Sequence, residues 1–246
     1  MTEAAPTTET RPSSDTPIVS DALRVLRVPF SPGAVFEEQV ASPAWFVPWI
    51  VISILAVGVG VLSMPYTARI MEIAIAARGA TSVPESAKKI GMVVAFLGTP
   101  IFALLISLCG ALIMWVVLML TGGKVRFRGL LSASMFAKIM LILQGLVQVA
   151  IWKMRGAPAA AITSMADAQV AIGADLLLPS DTTVSPFLRV LLGSINPLTI
   201  WGLVITAVGV MVLEKQSKGS AWTAVLTAFI ILMLIGAAFA GRGQGG

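Results

Sequence analysis

Ser194-Ile195-Asn196-Pro197-Leu198-Thr199-Ile200-Trp201-Gly202-Leu203-Val204-Ile205-Thr206-Ala207-Val208-Gly209-Val210-Met211-Val212-Leu213-Glu214-Lys215-Gln216-Ser217-Lys218 is an apolar run with both of its ends written into it. Pro197 lacks an N–H and has a fixed φ, so it suits the first turn of a helix, where that N–H would have no partner. Asn196 before it reads as the cap of that helix rather than as a ligand group. From Pro197 to Leu213 there is no charge. Roughly 17 residues at about 1.5 Å each come close to a hydrocarbon core about 30 Å thick. The stretch is therefore expected to cross a membrane, with Gly202, Thr206 and Gly209 offering a groove for a neighbouring helix.

Downstream, the loop at 214–219 is short and charged, and residues 221–240 form a second apolar run with small residues at Ser220, Ala224 and Ala228. Upstream lies the longest connection, 153–193, with a helical stretch expected near 164–178 and a short amphipathic turn after Ser185-Pro186. Its three spaced aspartates, Asp167, Asp175 and Asp181, lack the alternation and glycine of a calcium loop and read as solvated surface.

The span before that connection, 130–152, carries the only formal charge in any apolar run, Lys138. Gln144 and Gln148 lie one turn apart on the same helix. An intramembrane cation is a functional candidate, yet a lysine stem can also snorkel toward headgroups. Both readings stay open. Ser134 lies four residues before Lys138, a pairing that a serine nucleophile would need and that chance also produces.

Further upstream, Thr121-Gly122-Gly123-Lys124-Val125-Arg126-Phe127-Arg128-Gly129 is a tight cationic turn and not a phosphate loop, since the Lys-Ser/Thr ending is missing. The run 90–120 exceeds what a bilayer needs and is expected to tilt or bend at Gly98-Thr99-Pro100. Ala103, Ser107 and Ala111 give it a smooth side for the centre of a bundle. Residues 65–89 read as a polar connection with an amphipathic portion at 68–77. The first span, 45–64, has Trp45 and Trp49 at one interface and Tyr66 at the other. Before it, 21–30 and 32–40 read as short interfacial helices, the second capped by Ser31, that dock on the bundle. Residues 1–20 are rich in Thr, Ser, Pro and Glu and read as a disordered tail.

Composition agrees with these runs. Of 246 residues 57% are hydrophobic and 12% charged, against roughly 25% charged in a soluble domain. The fold class expected is an all-α polytopic membrane bundle of about five transmembrane helices with short interfacial helices. It forms one domain over 21–241, with spans near 45–64, 90–120, 130–152, 197–213 and 221–240. The net charge of +5 is spread in pairs and triplets, which suits lipid headgroups and not nucleic acid. Cys109 is the single cysteine and there is no histidine. Zinc sites of the common kinds and Cys-His or Ser-His nucleophile pairs are thereby removed. No catalytic residue, metal or cofactor is expected.

Several motifs together resemble a known family. Pro32-Gly33-Ala34-Val35-Phe36, Ser42-Pro43-Ala44-Trp45 with Pro48, the Gly122-Gly123 turn with Phe127, and Asn196-Pro197-Leu198 with Trp201 and Gly209 are similar in order and spacing to the Ypt-interacting-protein (Yip) family in its bacterial form. The likeness runs over about residues 20 to 240. It implies five transmembrane helices, a cytoplasmic N-terminus and an exported C-terminus in a bacterial inner membrane. Lysine and arginine counts alone tie between the two faces, with the denser short loops favouring the same orientation. In eukaryotes the family is associated with Rab-type GTPases and vesicle traffic. Bacterial relatives commonly carry a proline in the first half of the third span, where this chain has Ala137-Lys138-Ile139.

Two functions follow as expectations. One is a non-enzymatic scaffold whose cytoplasmic face recruits a protein partner or organises lipid. The other is a small permease or lipid-handling protein using the breaks at Pro100 and Pro197 together with Lys138, Gln144 and Gln148. A polar cavity reaching Lys138 would favour the second, and a sealed apolar interior the first. Candidate functional residues are Lys138, Gln144, Gln148, Asn196, Pro197 and Trp201.

Overall fold

The computed structural model describes residues 17–77, 85–164, 167–168, 170–178 and 185–242. Among them the chain forms ten α-helices: α1 (Pro17–Arg27), α2 (Pro32–Glu37), α3 (Phe46–Ala77), α4 (Glu85–Leu120), α5 (Phe127–Ala137), α6 (Ile139–Arg155), α7 (Pro158–Ala161), α8 (Pro186–Gly193), α9 (Pro197–Glu214) and α10 (Lys218–Arg242). Five segments are long and apolar enough to cross a membrane: 46–76, 98–120, 127–155, 197–214 and 218–239. The described part of the fold is all-α and multi-pass. The putting together of these helices depends on small residues at their crossings.

Helix α9 runs antiparallel to α5. A Cβ on Gly209 would sit 2.6 Å from the Ala133 Cβ, and one on Gly202 would sit 3.6 Å from Met140. The backbones approach because neither glycine carries a side chain. Helix α3 runs parallel to α5 and α6. Val59 presses on Gly145 at one level, and Tyr66 stacks on Trp152 at the next, with ring centroids 5.6 Å apart. Helix α4 fits against α10, where Gly110 faces Leu232.

Four features differ from the sequence-based expectation. The first helix does not end near Met64; α3 continues to Ala77 with Pro65 inside it. A proline costs one backbone bond, and packing on the far side compensates for it. Tyr66, Ile70 and Ile73 join Val149, Trp152 and Ile162 in one apolar cluster.

The third span breaks at Lys138. The Lys138 N–H donates to the Met135 carbonyl at 3.1 Å, and Leu141 N–H donates to the Lys138 carbonyl at 3.0 Å, a local tightening to i→i+3 bonds. Helix α5 packs with α4 and α9, whereas α6 turns toward α3.

The stretch near 164–178 is a turn at Asp167 and a 3₁₀ turn over Ala174–Leu177. Residues 165, 166 and 169 lie outside the described set. The Asp167 carboxylate takes hydrogen bonds from the hydroxyls and amides of Thr163 and Ser164, which hold it down at about 2. Among the described residues no group of three or more His, Cys, Asp and Glu could hold a metal ion. Asp181 and residues 1–16 of the expected tail lie outside the described set; 17–20 open α1.

Finally, the segment before α3 is a wedge. Trp201 Nε1 donates to the Pro29 carbonyl at 2.9 Å, and Arg126 donates to the Val40 carbonyl at 3.2 Å and to the Leu213 carbonyl at 2.7 Å. Residues 29–40 thus follow α9 along nearly its full length. Val35 and Phe36 are fully buried. Helix α1 is tied back onto α2 by Arg24 and Arg27, both bonded to Glu38, and Arg24 also pairs with Asp21. The Arg24 hydrogen bond at 2.8 Å holds the Glu38 carboxyl below its ordinary range. Leu23, Leu26 and Phe30 stay exposed beside this clasp.

At the same end of the bundle, Glu214 is buried. Its Oε2 accepts the Arg126 backbone N–H at 2.6 Å, and Arg126 Nε lies 3.3 Å from Oε1. The carboxylate therefore sits at the N-terminus of α5, where unpaired amides and the helix dipole favour a negative charge. Arg128 donates to the Pro43 carbonyl at 2.8 Å, and Ser132 to the Ala44 carbonyl at 2.6 Å.

Candidate functional site

Two adjoining chambers open between the helices. The first, about 420 Å³, lies among α4, α5, α6, α9 and α10, and Lys138 is in its wall. The second, about 560 Å³, is lined by Gln144, Gln148, Asp175, Arg189 and Asn196 among others. Leu141, Ser194, Thr199 and Phe229 belong to both, so the two are neighbours in space. Both volumes fall in the range of roughly 300–1,000 Å³ usual for small-molecule sites.

Each wall follows from local structure. Lys138 is the joint between α5 and α6, and Ser134 and Leu141, seven residues apart and so on one helical face, line the same chamber on either side of it. Gly202 on α9 adds no bulk, which leaves volume beside Met140. The second chamber lies at the bundle end opposite the Arg126–Glu214 contact, beneath the 170–178 segment. That segment is pinned by the Ala174 N–H donating to the Ile195 carbonyl at 2.9 Å. A Cβ on Gly173 would sit 2.8 Å from Asn196 Cβ, so the segment can come this close only because residue 173 has no side chain.

The electrostatics are one-sided. Among the described residues no Asp or Glu lines the first chamber. The Lys138 ammonium has no hydrogen-bond or ion-pair partner among the described residues, and neither has the Arg189 guanidinium in the second. Asp175 shares that second chamber, where its Oδ1 accepts the Gly173 N–H at 2.8 Å.

Of the residues singled out in the sequence, Lys138 lines the first chamber, and Gln144, Gln148 and Asn196 line the second. Asn196 is also the cap of α9. Its Oδ1 accepts the Thr199 N–H at 2.9 Å and its Nδ2 donates to the Gly193 carbonyl at 3.0 Å. Asn196→Ala is expected to cost about 1 kcal/mol in a thermal or denaturant unfolding measurement. Pro197 is the first residue of α9 and lies in neither lining. Trp201 is 41% exposed and holds Pro29, away from both chambers.

The serines separate too. Ser132 is fully buried and bonded to Ala44, and Ser107 donates to the Ala103 carbonyl. Ser134 shares the chamber with Lys138, but no hydrogen bond joins them. Arg189 and Thr199 were not legible as site residues, because only the return of α8 and α9 over the bundle brings them beside Gln144 and Gln148. The one signal available was that Arg189 is a cation in a mostly apolar helix next to the Asn196-Pro197 start.

A family model described as the Yip1 domain matches residues 26–240. No curated protein and no solved structure gives a match. The matched range takes in the N-terminal wedge from Leu26 onward, all five membrane-spanning segments and both chambers, and so the chain belongs to the Yip1 domain family.

Proposed function

We propose that this Yip1-domain protein is a non-enzymatic, lipid-handling membrane protein that holds an amphiphile between α4, α5, α6, α9 and α10. The observation that carries the reading is the pair of adjoining chambers, one apolar with Lys138 in its wall and one at the bundle end that adds Gln144, Gln148, Asp175 and Arg189 to its lining. Amphiphiles have the same two-part character. Phe102 and Gly236 line the first chamber and are also exposed on the bundle surface, which offers a route from the bilayer. The lack of any hydrogen bond between Ser134 and Lys138 speaks against a hydrolytic use of the same wall.

The test uses Gly236, where an added Cβ meets nothing within 4 Å. Gly236→Phe can therefore fill the chamber without disturbing a helix crossing. Purified in mild detergent, the wild-type protein is expected to carry a lipid-sized adduct in native mass spectrometry, and Gly236→Phe to lose it. A wild-type protein without adduct, or an adduct equally retained by the variant, would overturn the reading.

A scaffold reading rests on a separate observation. The exposed row Leu23, Leu26 and Phe30 is mounted on the bundle by the Arg24, Arg27 and Trp201 bonds, which suits display toward a lipid surface or a protein partner. We place the N-terminus on the cytoplasmic side of the cell membrane, with the C-terminus exported. The short loops on the Arg126–Glu214 side support this orientation, since Lys124, Arg126, Arg128, Lys215 and Lys218 crowd there and charge bias acts in short loops.

A further inference from the structure

Three polar groups inside the first chamber have hydrogens to donate and nothing to receive them. The Lys138 ammonium and the hydroxyls of Ser134 and Thr199 make no side-chain hydrogen bond. The other hydroxyls of the lining are already used. Ser107 donates to the Ala103 carbonyl at 2.8 Å, Thr206 to the Gly202 carbonyl at 2.9 Å, and Ser194 to the Val190 carbonyl at 2.7 Å.

A charged group in apolar surroundings is costly unless it is paired. Here the described residues supply no acid to the chamber. Lys138 and Ser134 are about one helical turn apart at the end of α5, and both line this chamber. Two donors on one wall suit the two oxygens of a carboxylate, and an ammonium on a carboxylate is a charge-assisted bond, the strong kind. The walls beyond them are Ile106, Leu203, Phe229, Leu232 and Met233, which suit an alkyl chain and nothing polar.

We propose that the chamber binds a single-chain amphiphile with a carboxylate head, its oxygens on Lys138 and Ser134 and its chain along α9 and α10. This rests on the reading that the cavity takes amphiphiles, and adds the charge of the head and where it sits.

The experiment is equilibrium binding of tritiated palmitate and tritiated hexadecanol to the full-length protein in maltoside micelles, corrected for partition into empty micelles. The two probes share a chain and differ in the charge of the head. Wild-type protein is expected to bind palmitate about ten- to a hundredfold more tightly than hexadecanol, as a hydrogen bond to a charged partner allows. Lys138→Met is expected to erase that preference while hexadecanol binding persists, which also shows that the variant is folded. Lys138→Arg is expected to keep the preference. Equal affinities in the wild type, or a preference surviving in Lys138→Met, would overturn the carboxylate assignment and leave the cavity reading standing. Failure of both probes to bind would overturn the two together.

Discussion

Phe36→Ala is expected to lower the unfolding free energy by about 3–5 kcal/mol, the usual cost of deleting a buried phenylalanine. Phe36 has no exposed surface and meets Phe136 edge to face, with centroids 5.7 Å apart and planes at 81°. Its ring also fills the space left open by Gly209, where an added Cβ would lie 3.0 Å from the ring. Removing it empties the junction of α2, α5 and α9 at once. In a bilayer the lost transfer energy is smaller than in water, but the lost dispersion contacts are not restored by lipid, because the site is enclosed by protein. Two measurements check this: thermal unfolding of the detergent-solubilised protein, and protease cleavage within residues 20–44. Phe36→Leu should retain most of the stability and resist cleavage. A Phe36→Ala protein that melts and resists protease like wild type would show that α2 is not wedged into the bundle.

The second large effect is expected at Gly129. A Cβ there would overlap Glu214 Oε1 and lie 2.8 Å from the carboxyl carbon. The Glu214 side chain is only 2% exposed, so it has no free space to move into. Gly129→Ala must therefore push the carboxylate off the Arg126 amide or open the crossing of α5 and α9. Either route breaks a charge-assisted hydrogen bond to a buried carboxylate, which costs about 1.5–3 kcal/mol. The distinguishing result is rescue. Glu214→Ala alone should destabilise, because it strands the Arg126 backbone N–H, but Gly129→Ala combined with Glu214→Ala should be more stable than the sum of the two losses predicts. Strict additivity would mean that the two residues do not share one space.

Much of the architecture can be read from runs of residues. Asn196-Pro197 marks the start of α9 because a cap and a first-turn proline act through the backbone next to them. The uncharged runs mark the spans because the bilayer sets a length that local sequence must match. Gly209 and Gly202 mark a close crossing because only small residues allow one. The chambers were legible only in part. Lys138, Gln144 and Gln148 stand out as polar residues in apolar runs, yet nothing near them in the chain says which helices face them.

By itself, then, the sequence determined the number of spans, the cap at Asn196 and the short cationic loops, all of which are local or depend on length alone; Ser31, also expected as a cap, sits at the start of α2 without a side-chain cap bond. Tertiary structure decided the rest. The break at Lys138 has no proline behind it; it arises where α5 is held by α4 and α9 while α6 is drawn to α3 by the Val59–Gly145 and Tyr66–Trp152 contacts. The continuation of α3 past Pro65 depends on Trp152 and Ile162, some ninety residues away in the chain. The depth of Phe36 depends on the absence of a side chain at Gly209. The unpartnered state of Lys138 is likewise a property of the whole bundle, because a charge lacks a partner only relative to everything packed around it.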